Sequence, residues 1–143
     1  MTLKAIPEGY TTITPYLVVK DADKLIDFLQ KAFNAAIIYR SVLHGVTNHA
    51  EIQIGNSRVM MGKARNENEV MPAMLYVYTI DTDKLYHKAL EHGAISIMEP
   101  ADQFYGDRNA GVRDPEGNSW WIATHMEDVS EDEMEKRMKE MKG

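Results

Sequence analysis

Two short stretches of this chain repeat each other 60 residues apart, Asp21-Ala22-Asp23-Lys24-Leu25 and Asp81-Thr82-Asp83-Lys84-Leu85. Each opens a helical pattern, with an acidic cap followed by apolar residues at i, i+3 and i+4 spacing. A second echo, Gly55-Asn56-Ser57 and Gly117-Asn118-Ser119, recurs at an offset of 62. Either echo alone is chance-level. Together they imply a duplicated module, and that constrains the fold more than any single element does.

The stretch Gly106 to His125 closes the second copy and reads as two strands joined by the turn Asp114-Pro115-Glu116-Gly117. Pro115 presets φ for the second turn position, and Gly117 accepts positive φ. Trp120 to Thr124 is bulky and branched, as a half-buried strand should be.

Residues 1 to 11 form a lead-in arm. In the first copy, a strand over 12–19 carries Pro15, which points to an edge position or a bulge. A helix capped by Asp21 or Asp23 buries Ala22, Leu25, Ile26, Leu29, Ala32 and Phe33, and Asn34 closes it. Three strands follow, over 36–44, 48–54 and 58–61, the last two joined at Gly55-Asn56. The expected organisation is one α+β domain over 1–143: a βαβββ module at 12–62, a linker at 63–73 and a second module at 74–125. In the second module a helix over 82–92 ends at Gly93, and a strand over 95–98 precedes the closing hairpin. Ser130-Glu131-Asp132-Glu133 is a capping box and opens a C-terminal helix over 130–142, with Met134, Met138 and Met141 along one face.

A chain of 143 residues can bury a core without staples. With no cysteine there are no disulfides, thiolate metal sites or cysteine nucleophiles, which fits a reducing, cytoplasmic location. No signal peptide or membrane span is visible. The net charge is −6, and residues 127 to 143 hold seven acids against four bases, so the body is only mildly acidic. No basic stripe with interleaved aromatics appears, which argues against nucleic acid.

The duplicated module, the entry Pro15-Tyr16-Leu17-Val18-Val19, Gly106-Asp107-Arg108 and Asp114-Pro115-x-Gly117-Asn118-x-Trp120-x-Ile122-Ala123-Thr124-His125 together resemble the vicinal oxygen chelate superfamily. That superfamily groups glyoxalases, bleomycin resistance proteins and extradiol dioxygenases, and the long C-terminal motif resembles its PhnB-like branch. The resemblance implies sheets curled around a cleft, commonly in a homodimer. Two turn positions depart from the branch, Glu116 where it usually has Phe and Asn34 where it has Phe-Gly-Ala, which leaves local packing open at both. The superfamily's metal positions, carried over, fall on Thr14, Met61, Leu75 and Trp121. Leu and Trp supply no lone pair, so the glyoxalase ligand set is missing and no metal or other cofactor is implied.

Strand alternation nominates what remains. Ala50, Ile52 and Ile54 claim the helix-covered face, so His49, Glu51 and Gln53 point into the cleft. A His and a carboxylate two apart can orient one another as base and partner, supply half of a metal site, or form a solvated polar face. Arg108 either reads an anion at the cleft mouth or forms an internal ion pair beside Asp107. Tyr105 and Trp121 can stack on an aromatic ligand, whereas Trp120 shares its face with Ile122 and belongs to the core. The candidate ligand-binding set is therefore His49, Glu51, Gln53, Tyr105, Arg108 and Trp121. The leading expectation is a homodimeric small-molecule-binding protein. Its rivals are a metal-dependent lyase or dioxygenase-like enzyme with a displaced site on His49 and Glu51, and a protein-interaction module acting through the C-terminal helix.

Overall fold

The computed structural model describes residues 2–142. Module one runs β1 (Tyr16–Val19), α1 (Ala22–Phe33), β2 (Ala36–Leu43), β3 (Val46–Ile54) and β4 (Ser57–Lys63). Module two runs β5 (Met74–Tyr78), α2 (Thr82–Glu91), β6 (Ile95–Asp102), β7 (Asp107–Arg113) and β8 (Ser119–His125). A C-terminal helix, α3 (Glu131–Lys142), follows.

Each module forms its own four-stranded sheet with the same topology, β1-β4-β3-β2 and β5-β8-β7-β6. In each, the first and last strands pair in parallel and the others antiparallel. The repeated Asp-x-Asp-Lys-Leu motif is a repeated helix start. Asp21 accepts from the Lys24 amide at 3.0 Å and Asp81 from the Lys84 amide at 3.1 Å, each satisfying one of the orphan donors of its helix. Asn34 closes α1 in the left-handed conformation at φ 55°. Pro15 precedes β1, which lies at a sheet edge, so the missing N–H interrupts no ladder.

Several elements exceed the sequence expectation. The β2–β3 turn is His44-Gly45 at φ 52° and 80°, the doubly positive geometry of a tight hairpin, so β3 begins at Val46. The edge strand β6 continues through Pro100 to Asp102, with register irregularities between Ser96 and Met98 and between Met98 and Ala101 that accommodate the proline. The linker holds one 3-10 turn, Glu67–Glu69, and an antiparallel bridge from Met71 to Val18 that covers part of the β1 edge.

The modules share one core. Leu25, Leu29 and Phe33 of α1 join Trp120 and Ile122 of β8, and the Phe33 and Trp120 rings meet edge to face at 5.1 Å. Trp120 is held at its polar end as well. The buried Asp114 carboxylate accepts from the Trp120 indole N–H at 2.7 Å, from the Asn118 amide side chain at 3.0 Å and from two turn amides. Asn118 in turn accepts from the Ala73 amide at 3.0 Å, fixing the start of β5 to the turn. Glu116, where the branch has Phe, accepts from the Asp21 amide at 2.7 Å. Module two thereby places a carboxylate at the N-terminus of the helix of module one, where the helix dipole favours it.

Among the described residues, no helix is long and apolar enough to cross a membrane.

Candidate functional site

Alternation gives each sheet a helix-covered face and an open face. Ala50, Ile52, Val59 and Met61 are buried under the helices in module one, as are Ala110, Val112, Trp120 and Ile122 in module two. The residues between them occupy the open faces, and polar groups gather there into two clusters.

The first cluster is built on β3 and β1. His49 Nε2 lies 3.1 Å from Glu51 Oε2, and His49 Nδ1 lies 3.0 Å from the Tyr16 hydroxyl. Tyr10, from the N-terminal arm, donates to the other Glu51 oxygen. The partners are mutually consistent when neutral His49 donates from Nε2 and accepts at Nδ1, which makes a continuous chain Tyr16–His49–Glu51–Tyr10. Tyr16 lies over Gly62, where an added Cβ would stand 2.5 Å from its hydroxyl. Gln53 completes this face and accepts from Arg58 Nε at 2.7 Å.

The second cluster is built on β5, β7 and β8. The Tyr76 hydroxyl donates to Asp107 at 2.7 Å and accepts from Asn109 at 3.2 Å, while Asn109 also donates to Tyr105 at 2.6 Å and accepts from Gln103 at 3.0 Å. Trp121 lies flat on its cross-strand neighbour Gly111, where a Cβ would stand 2.9 Å from the indole ring. Between Met74, Met98 and Trp121 on one side and Tyr76, Tyr105 and Asn109 on the other is a pocket of about 310 Å³.

Asp107 is 6% exposed. Burial alone would raise its carboxyl pKa, but hydrogen bonds from Tyr76 and His125 prevail and hold it below the usual carboxylate value. The Tyr76 hydroxyl is pushed up by burial and by its donation to Asp107, so it stays protonated. His125, at the end of β8, is raised by its contacts to Asp128 at 2.7 Å and Asp107 at 2.8 Å. With both ring nitrogens facing carboxylates, the protonated ring is stabilised relative to a free imidazole.

The structure thus places His49, Glu51 and Gln53 together on one open face and Tyr105 and Trp121 together on the other. Among the described residues, no hydrogen bond, ion pair or aromatic contact joins the two groups. Arg108 joins neither, contrary to its expectation at a cleft mouth. It shares parity with Ala110 and Val112 and turns toward α2, where Asp83 grips it at 2.7 and 2.8 Å and Asp102 adds a third contact at 3.2 Å. Its ion-pair partners are these two aspartates, and the neighbouring Asp107 serves His125 instead. Tyr10, Tyr16, Tyr76 and Asn109 went unmarked in the sequence reading. Tyr16 and Tyr76 lie 60 residues apart, as do His49 and Asn109, so the repeat offset was the signal for these four except Tyr10.

A family model for the glyoxalase/bleomycin resistance protein/dioxygenase superfamily matches residues 9–122. The chain belongs to that superfamily. An uncharacterised protein of Mycobacterium bovis is 31% identical over 138 residues, covering 88% of this chain and 91% of the relative. Among solved structures, TioX from Micromonospora sp. superposes with a TM-score of 0.70 at 24% identity, covering 81% of this chain and 99% of that one. A PhnB protein from Bacillus cereus does so at 0.66 and 19% identity, covering 80% and 99%. Three of the residues expected at the superfamily's metal positions do not converge. Met61 is buried in the core, Leu75 packs against it, and Trp121 lies on the open face, so the expected residues do not share one surface. Among the described residues, no group of three or more His, Cys, Asp or Glu side chains could hold a metal ion.

Proposed function

We propose that this protein binds a small, predominantly aromatic molecule on the open faces of its sheets, as a PhnB-like member of the superfamily that lacks the glyoxalase metal set. The observation that carries this reading is the 310 Å³ pocket, in which apolar walls from Trp121, Met74 and Met98 face hydroxyl and amide groups of Tyr105, Tyr76 and Asn109. An apolar pocket with a few convergent polar groups is the general form of a small-molecule site. Thioether walls adapt to varied guests, which suits sequestration.

A homodimer completes the reading. Ile38, Tyr39, Val42 and Leu43 on β2, Met74 and Tyr78 on β5 and Ile95 on β6 are all exposed, an apolar surface that a second copy would cover. In such a pair the His49–Glu51 cluster of one chain can face the Trp121 pocket of the other. Light scattering at micromolar concentration checks this, with a monomer mass as the contrary result.

Binding is tested with bleomycin and with 1-naphthol as probes, read by tryptophan fluorescence. Trp121→Phe should remove most of the signal change and His49→Ala should weaken affinity, while an unchanged response in both variants refutes the assignment.

A second reading, an enzyme using His49 and Glu51, is favoured by the continuous Tyr16–His49–Glu51–Tyr10 chain, which suits proton transfer better than metal binding. Both imidazole nitrogens are already engaged, so a metal ion would have to displace Tyr16 or Glu51. Calorimetric titration with Zn²⁺ tests the metal-dependent form of this reading: stoichiometric, His49-dependent binding favours a metalloenzyme.

A further inference from the structure

A second cavity, of about 850 Å³, lies at the junction of the modules and shares Tyr76 with the lining of the Trp121 pocket. Phe33 and Val59 of module one and Leu75, Val77, Leu85 and Trp120 of module two give it apolar walls, and the N-terminal arm closes one side through Tyr10 and Ile13. Among the described residues, one charged side chain, Arg58, lines it.

Arg58 differs from the other arginines. Arg40, Arg65, Arg108 and Arg137 all hold carboxylates, and Arg113 is exposed at a strand end. Arg58 is half-buried, and among the described residues it has no ion-pair partner. It is nevertheless fixed in place. Its Nε donates to Gln53 at 2.7 Å, and its guanidinium carbon stacks 5.0 Å from the Tyr10 ring centroid. The arm backbone approaches so closely that a Cβ on Gly9 would stand 2.5 Å from Nη2, and Gly9 holds φ +86°. The positive φ favours glycine at this position.

The terminal nitrogens make no hydrogen bond to the described residues, and no buried side-chain nitrogen or oxygen among those residues lacks a partner. The Nη groups are therefore not fully enclosed, and Arg58 is among the residues that line the cavity. A planar, prepositioned guanidinium with two free nitrogens is suited to a bidentate anion, and its half-buried charge is better satisfied when one is present. The surrounding volume is in the range that accepts an organic molecule of one to three rings.

We propose that the junction cavity binds organic monoanions, with a carboxylate or sulfonate held by Arg58 and an apolar body lodged against Leu75, Val77 and Leu85. This site shares only Tyr76 with the lining of the Trp121 pocket and stands whether or not that pocket binds a ligand. The probe is 8-anilinonaphthalene-1-sulfonate, and its neutral counterpart, N-phenyl-1-naphthylamine, supplies the same apolar body without the anion. Fluorescence titrations are read on folded protein, with the melting temperature recorded for each variant. Arg58→Gln should weaken the sulfonate probe about tenfold, the scale of one lost charge-assisted contact, and leave the neutral probe within about twofold. Leu85→Trp should weaken both probes by filling the cavity. If Arg58→Gln melts early, the Arg58 Nε–Hε resonance of the wild-type protein decides: it should shift with the sulfonate probe and stay with the neutral one. The proposal is overturned by an unchanged sulfonate affinity in Arg58→Gln, by parallel loss of both probes in that variant, by affinities that Leu85→Trp leaves unchanged, or by a resonance that ignores the charge.

Discussion

Removing the Asp114 carboxylate should be the most damaging single polar substitution in this chain. Asp114 is 4% exposed and accepts four hydrogen bonds, three of them from the buried Asn118 amide, the Asn118 side chain and the Trp120 indole. Asp114→Ala leaves those buried donors without an acceptor, at about 1–3 kcal/mol each. Water entering the space left by the carboxylate recovers part of this, so the expected loss is about 3–5 kcal/mol. A domain of this size is stable by on the order of 10 kcal/mol, so the variant should fold but unfold at clearly lower denaturant. Urea denaturation followed by far-ultraviolet circular dichroism measures it. Repeating the substitution in a Trp120→Phe background isolates the indole bond, and there Asp114→Ala should cost about 1–2 kcal/mol less. A loss below about 1 kcal/mol, or an identical loss in both backgrounds, would refute the claim that the turn holds Trp120 through its carboxylate.

His125 has its pKa raised above 6.5, so its contribution is fully present below that value and fades as pH rises through the folded one, whereas Asp107, lowered from 3.8, contributes above 3.8 and fails only in acid. The stability difference between wild type and His125→Gln should therefore be larger near pH 6 than at about pH 9, and a difference that grows with pH contradicts the pairing. Glu116→Ala removes the acceptor of the Asp21 amide and should cost about 1 kcal/mol in urea denaturation, with amide exchange at the start of α1 accelerating first. Gly111→Ala drives a methyl group to 2.9 Å from the Trp121 ring and should tilt the indole off the sheet, shifting its fluorescence at a stability cost of about 1 kcal/mol, whereas an unchanged emission spectrum counts against the stacked geometry.

The duplicated topology was legible because it rests on local signals: two acidic helix caps, an Asn in the left-handed position and strict alternation along 48–54. The other echo was less faithful. Aligning Gly55-Asn56-Ser57 with Gly117-Asn118-Ser119 sets Arg58 against Trp120, yet burial sets Val59 against Trp120. The first turn spans two residues, Ile54 pairing with Ser57, while the second spans five, Arg113 pairing with Ser119, so the offset slips at the turn. Arg108 could have been placed by parity, since it alternates in phase with Ala110 and Val112, but its partners Asp83 and Asp102 lie on other elements and carried no local sign. Tyr10 and the junction cavity were not readable. The arm has no periodicity, and the cavity depends on how one module seats on the other, through long-range contacts such as Glu116 to Asp21.

The two open faces show how one duplicated plan can supply two kinds of chemistry. At the repeat offset Tyr16 corresponds to Tyr76, and each hydroxyl meets the corresponding residue of the third strand of its module, His49 or Asn109. Two residues further along that strand, module one has Glu51 and module two has Gly111. Glu51 gives the first face an ionisable pair with a partner at each end. Glycine at the matching position empties the space above the second face, and Trp121 occupies it, turning a charged surface into an aromatic platform. The same strand position therefore determines whether a module carries an ionisable pair or a flat indole. A ligand that spans both faces would meet a hydrogen-bonded His–Glu pair on one side and a flat indole on the other. Two identical modules could not supply that asymmetry, which gives a physical reason for the copies to have diverged at these positions while the topology stayed the same.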